Sequence, residues 1–217
     1  MKRTPSTPDA AAALAAIDAD WAGLIARLGL CGHEPKPARE PFEALVRAVA
    51  YQQLHVRAGD AILARMLALH PQQPFPSPTQ VLDADTGALR ACGFSARKIE
   101  TIRGIAAATL SGVVPDLSSA RELADDELIT RLSALKGIGR WTVEMFLIYS
   151  LARPDILPAD DFGVREGYRL LKSLDTAPTP KAMAAIGQAW SPHRTAAAWY
   201  LWRVPRPVKG ATPAAAA

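Results

Sequence analysis

Cysteine is scarce: the 217 residues hold two, Cys31 and Cys92. Neither lies in a CxxC pair, so a four-cysteine zinc or iron–sulfur site is excluded, and both are expected as reduced thiols. Long apolar runs are missing as well. No stretch approaches the ~20 apolar residues of a membrane span. The Ala-rich segment from Ala10 to Ile17 is too short for a secretory signal and is bracketed by Asp9, Asp18 and Asp20. A soluble, cytoplasmic protein with no membrane partner is expected. Alternating strand patterns and internal repeats are also absent. Net charge is small at +4, but it is unevenly spread. From Lys136 to the C-terminus, 11 Lys and Arg face 6 Asp and Glu, whereas residues 1–135 carry 14 against 15. The basic excess therefore lies in the C-terminal part, where it suits a polyanionic partner.

What is present is helical pattern and apolar mass. A hydrophobic content of 49% is enough for a core in one domain or two small lobes. Asp9 is placed to cap a helix running through about Leu28. Pro41 suits a first helical position, and Phe42, Leu45, Val46 and Val49 share one face. The pattern falters at "YQQLH" and resumes from Val56 to Leu69. Thr79 opens a further helix that "CGFS" stops. Ser95 caps the next, with Ile99, Ile102 and Ile105 or Ala106 inward. Asp125 starts a helix ending near Ala134, and another runs from the following "LKGIG" to about Leu151. Thr179-Pro180 and Ser191-Pro192 both read as an N-cap followed by an N1 proline. The tail "PVKGATPAAAA" is expected to be disordered.

Two motifs carry chemistry. In "LKGIGRWT" (135–142), two glycines allow a tight turn between helices, and Ile138 between them can plug inward. The turn presents backbone N–H groups at a helix start, where the dipole favours an anion, and Lys136 and Arg140 flank it. A DNA phosphate would fit, bound by position and not by sequence. In "ILPADDFGV" (156–164), Asp160 and Asp161 stand side by side among apolar residues. Such a pair costs desolvation energy unless a cation compensates it. That cation could be a metal, an arginine, or a charge that arises only during a reaction.

The hairpin followed by "LPADDFG" resembles the helix-hairpin-helix DNA glycosylase superfamily. Three further segments look like its 3-methyladenine DNA glycosylase II branch: "AYQQLHVRAG" (50–59), "GFSARKIETI" (93–102) and "WSPHRTAAAWYLW" (190–202). The matches run in order from Pro41 to Trp202. The resemblance implies an all-α fold of two helical lobes with a cleft between them, in one compact unit over 1–208, with the helix-hairpin-helix at about 125–152. About 40 residues that read helical precede the first match, so the extra N-terminal β domain of a larger bacterial relative is not expected.

By the same resemblance Asp161 is the catalytic acid. A fixed carboxylate in a water-poor site stabilises the oxocarbenium charge that develops on the sugar, and it can orient or deprotonate the attacking water. Asp160 would then cap the following helix or support the loop. Trp141 stands where bifunctional members carry a lysine nucleophile, which implies hydrolysis without lyase activity. Trp190 is the first choice for the wall that stacks on the flipped base, Trp141 the second, and Met145 replaces a pocket-facing aromatic residue of a bacterial relative. The DNA contacts expected are Lys136, Gly137, Ile138, Gly139, Arg140 and Thr142 of the hairpin, Gln53 as plug and His55 as minor-groove probe in "YQQLH". Arg165 could serve a phosphate or pair with Asp160 or Glu166, and Arg194 likewise. No cofactor is expected. The resemblance allows a monovalent cation at the hairpin carbonyls and no metal held by side chains. The expected partner is double-stranded DNA with damaged bases, engaged by a monomer. Chief among the lesions is 3-methyladenine, with 7-methylguanine and ethenoadenine as further candidates. Two other readings stay open: a non-catalytic helix-hairpin-helix DNA-binding module, and a monofunctional glycosylase for deaminated or oxidised bases.

Overall fold

The computed structural model describes residues 7–36 and 38–205. The tail expected to be disordered lies outside them. Among the described residues the chain is helical and contains no strand, and no helix is long and apolar enough to cross a membrane. The chain divides into two units, Met1–His33 with Pro154–Ala217, and Glu34–Arg153.

The first unit opens with α1 (Thr7–Ala15) and α2 (Ala19–Leu28). The single helix expected from Asp9 to Leu28 is therefore broken in two. Asp18 makes the break: its Oδ1 accepts from Asp20 N and Trp21 N, both at 3.1 Å, and so caps α2. Lys172 then binds both Asp18 and Asp20, at 2.5 and 2.8 Å.

The second unit holds eight helices among the described residues. They are α3 (Pro41–Tyr51), α4 (Val56–Ala68), α5 (Pro78–Asp83), α6 (Thr86–Ala91), α7 (Ala96–Leu110), α8 (Leu117–Glu122), α9 (Asp125–Ser133) and α10 (Arg140–Tyr149). The helix expected from Thr79 to "CGFS" is two short ones. Ser77 caps α5 in a reciprocal box with Gln80, and Asp85 caps α6. The apolar faces behave as their spacing predicts. Leu45, Val46 and Val49 of α3 and Ile99, Ile102, Ile105 and Ala106 of α7 are buried. Each fully buried Val, Leu or Ile contributes about 1.5–3 kcal/mol. Both α7 and α10 pack against α3, and α9 packs against α10.

The chain re-enters the first unit at Pro154 and forms α11 (Phe162–Leu171), α12 (Pro180–Ile186), a 3-10 turn (Gly187–Trp190) and α13 (Arg194–Leu201). Helix α13 packs against α1, α2 and α11, over a core of Leu14, Trp21, Leu24, Val164, Met183 and Tyr200. Thr179 caps α12 as expected. Ser191 does not cap a helix. Its hydroxyl donates to Asp155 Oδ2 at 2.7 Å, and α13 starts only at Arg194.

Candidate functional site

Asp161 ends the loop that precedes α11 and is that helix's N-cap. Its Oδ1 accepts from Val164 N at 2.9 Å and from Trp202 Nε1 at 2.8 Å. A helix N-terminus is a favourable place for a carboxylate, because the orphan N–H groups and the dipole both point positive charge at it. Asp160 is exposed one residue earlier. The capping role expected of Asp160 thus belongs to Asp161, because the helix begins one residue later than that expectation requires. Trp202 touches this carboxylate through its ring N–H. Arg165, one turn further along α11, donates from Nη1 to Pro178 O at 3.3 Å. Glu166 pairs with Arg169. Arg194 is bound to Asp155.

In the second unit the hairpin joins α9 to α10. Gly137 has φ +86, and a Cβ there would lie 2.2 Å from Thr101 Oγ1, so both the backbone angle and the close approach of α7 require glycine. Ile138 is buried, and its N–H donates to Leu135 O at 3.0 Å. Lys136 and Arg140 are exposed, with Glu100 and Glu144 as their respective partners at 2.6 and 2.8 Å. Thr142 departs from the expected DNA contact. It is 2% exposed, and its hydroxyl accepts from Gln52 Nε2 at 3.3 Å. The same amide donates to Gly137 O at 3.2 Å. The hairpin carbonyls of Leu135, Gly137 and Gly139 accept from Ile138 N, Gln52 Nε2 and Thr142 N. Gly139 O also accepts from Val143 N at 3.3 Å, so it is the Leu135 and Gly137 carbonyls that keep a second lone pair to offer a weakly held monovalent cation. Among the described residues no cluster of His, Cys, Asp or Glu could hold a metal ion.

The segment between α3 and α4 is bound to that hairpin through Gln52 and to α7 through Lys98. The Lys98 ammonium donates to Ala50 O and Gln52 O, both at 2.9 Å, and burial pushes its pKa down. Gln53 sits at φ +57, which turns the chain sharply at the next residue. Leu54 is consequently 41% exposed at the tip, a large apolar side chain in water. His55 caps α4, its Nδ1 accepting from Arg57 N at 3.3 Å.

A cavity of about 280 Å³ opens in this unit beside α3 and α10, lined by Arg39, Arg47, Tyr51, Trp141, Met145 and Tyr149 among others. Trp141 is 40% exposed on its wall. The Tyr51 hydroxyl donates to Asp60 Oδ1 at 2.5 Å; this bond, with burial and the charge of Asp60 behind it, pushes the phenol pKa up. Trp190 lies elsewhere. It is 3% exposed in the core of the first unit, edge-on to Trp21 at 5.3 Å and tilted against Tyr168 at 5.7 Å. Of the two indoles, Trp141 lines a cavity of the second unit and Trp190 is packed in the core of the first.

A model of the HhH-GPD superfamily base excision DNA repair proteins matches residues 46–193. The DNA-3-methyladenine glycosylase 1 of Schizosaccharomyces pombe is 46% identical over 193 residues, which span 88% of this chain and 84% of that protein. Among solved structures, the chain superimposes on an S. pombe 3-methyladenine DNA glycosylase in complex with abasic DNA. The TM-score is 0.82 at 46% identity, over 89% of this chain and 94% of that one. A DNA-3-methyladenine glycosidase from Bacillus halodurans matches with TM-score 0.78 at 34% identity, covering 89% and 87%.

Proposed function

Because the chain belongs to the HhH-GPD superfamily of base excision DNA repair proteins, we propose that it is a monofunctional DNA glycosylase. It hydrolyses the N-glycosidic bond of alkylated bases in double-stranded DNA, chiefly 3-methyladenine, and leaves an abasic site. The names of the relatives support the substrate class, and the abasic DNA bound by one of them is the product class. The observation that carries the mechanism is the Asp161 carboxylate. It is fixed by two donors on one oxygen at the start of α11.

An alkylated purine is cationic and leaves readily with the bonding electron pair, so no strong general acid is needed. The sugar is left as an oxocarbenium ion. A carboxylate already held in place stabilises that charge without reorganising as it forms, and water completes the hydrolysis at C1′. The target base must first leave the stack. Trp141, on the cavity wall with Met145, is the surface on which it stacks, since an electron-rich ring suits a cationic base. Leu54, and not Gln53 or His55, fills the space the base vacates. It is apolar and projecting, whereas the His55 ring is engaged as a cap. The hairpin, through Lys136, Arg140 and the first N–H groups of α10, holds phosphates. An indole at position 141 offers no amine for a Schiff base.

The test is release of free bases from methylated duplex DNA, measured by chromatography. Asp161→Asn is expected to lower it by at least ~100-fold, equal to ~2.7 kcal/mol of transition-state stabilisation. Trp141→Ala should also lower release while Asp161 remains. Borohydride should trap no protein–DNA adduct. Undiminished release by Asp161→Asn removes that residue from the mechanism, and a trapped adduct contradicts the monofunctional reading.

A further inference from the structure

Helix α11 carries two glycines one turn apart, Gly163 and Gly167, on the side that meets α13. A Cβ at Gly167 would lie 2.1 Å from Leu201 O, in the backbone of α13. A Cβ at Gly163 would lie 2.8 Å from Trp202 Cδ1 and 3.0 Å from Asp161 Oδ1. The first contact sets how closely the two helices approach. The second shows what the approach delivers: the indole of Trp202, which closes α13, comes down beside the acid at the start of α11. Its Nε1–H donates to Asp161 Oδ1 at 2.8 Å, the same oxygen that accepts from Val164 N at 2.9 Å.

Two donors that converge on one carboxylate oxygen from different directions fix the side chain's rotation about both of its torsions. The N-cap bond alone would leave the carboxylate plane free to swing, as a cap at an exposed helix start does. A bond to an ionised group is also stronger than one between neutral groups, so the indole holds the carboxylate firmly in place.

We propose that Trp202 is a positioning residue for the glycosidic chemistry, and that Gly163 and Gly167 exist at these places to admit it. The role is separate from core packing. The ring fills space between α11 and α13, but the N–H is the part that acts. This proposal rests on the reading of Asp161 as the catalytic carboxylate.

The test compares Trp202→Phe, Gly163→Ala and Asp161→Asn in the full chain, with three readouts. These are the single-turnover rate of 3-methyladenine release, the affinity for duplex DNA with an abasic-site analogue, and the melting temperature. Trp202→Phe keeps a ring and loses only the donor. Its rate is expected to fall by about 10-fold, equal to about 1.4 kcal/mol, with affinity changed by less than about 2-fold, the pattern of an interaction used in the transition state alone. Gly163→Ala should show the same split even though alanine is the better helix former, because its methyl group crowds both the indole and the carboxylate. Should Trp202→Phe not fold, a wild-type rate in Gly163→Ala overturns the role on its own. Wild-type rates in both variants beside an inactive Asp161→Asn overturn the positioning role and leave the functional reading standing. So does a loss of rate in Trp202→Phe matched by equal losses of affinity and melting temperature, which marks a core residue only. A full rate in Asp161→Asn sinks the functional reading, and the positioning role falls with it.

Discussion

Arg194 grips Asp155 with both arms, Nε to Oδ1 at 2.7 Å and Nη2 to Oδ2 at 3.0 Å, while the Arg194 backbone N–H and the Ser191 hydroxyl add further bonds. Burial pushes the Asp155 pKa up, but the bonds from Arg194 and Ser191 outweigh it and hold the carboxyl below the usual carboxylate range. The sign of the consequence follows. A group whose pKa is depressed by folding contributes stability above its unfolded pKa, about 3.9 for aspartate, and loses it as pH falls through the lower folded value. Asp155→Asn should therefore cost about 1.5–3 kcal/mol near neutral pH, the worth of a bond to a charged group. The gap in melting temperature between wild type and variant should narrow on acidification below about pH 4. A gap that is constant from pH 7 to pH 3, measured by thermal melting, would show that the pairing contributes nothing. The same scale shows where the sequence was legible. Asp161 stands out through the resemblance of the hairpin and "LPADDFG" to the glycosylase superfamily. Trp202 does not, because a tryptophan 41 positions later at the end of a helix reads as core, and no linear pattern reveals which way a ring N–H points. Thr142 misleads for the converse reason. Its place beside Arg140 suggests a phosphate contact, but the helical turn carries it to the buried face.

At the scale of elements, the loop between α3 and α4 is the part held most deliberately. Lys98 of α7 closes the C-terminal carbonyls of α3, and Gln52 reaches across to the hairpin. Unsatisfied helix carbonyls would otherwise need water. With the α3 end of the loop secured, the exposed Leu54 stands on a stiff base. Leu54→Ala is accordingly expected to reduce base release several-fold through loss of the flipped state, whose unstacking costs a few kcal/mol, with the melting temperature unchanged within error. Gln53→Ala should have the smaller effect on release. The reverse ranking, measured by single-turnover kinetics on one lesion duplex, would return the plug to Gln53. The interruption of the helix at "YQQLH" was plain in the sequence. The exposure of the apolar Leu54 was not, because it goes with a left-handed conformation at Gln53 that the sequence pattern does not reveal. The break between α1 and α2 was hidden similarly. Alanine-rich sequence favours helix on both sides, and Asp18 becomes a cap through Trp21 burying itself and Lys172 binding across from α11.

For the molecule as a whole, the proposed acid and the proposed phosphate contacts belong to different compact units: Asp161 and Trp202 to the unit of the two termini, the hairpin to Glu34–Arg153. The chain crosses between them twice, after His33 and before Pro154, so an internal segment is enclosed by the two ends. Sequence composition anticipated a polyanionic partner from the basic excess after Leu135, but that excess straddles the two units, and charge alone could not divide the labour. The two roles should be separable by salt. Affinity for duplex DNA falls with salt in proportion to the number of phosphates neutralised, so losing one contact lowers the logarithmic slope by about 1. Arg140→Ala is expected to do this equally on damaged and undamaged duplexes, since a phosphate contact carries no sequence information. Its rate of base release at saturating protein should stay near that of wild type. Asp161→Asn should give the opposite result, an unaltered slope with release abolished. If Arg140→Ala leaves the slope intact, its bond to Glu144 absorbs the guanidinium fully, and the electrostatic grip on DNA must be sought on other basic residues than those of the hairpin.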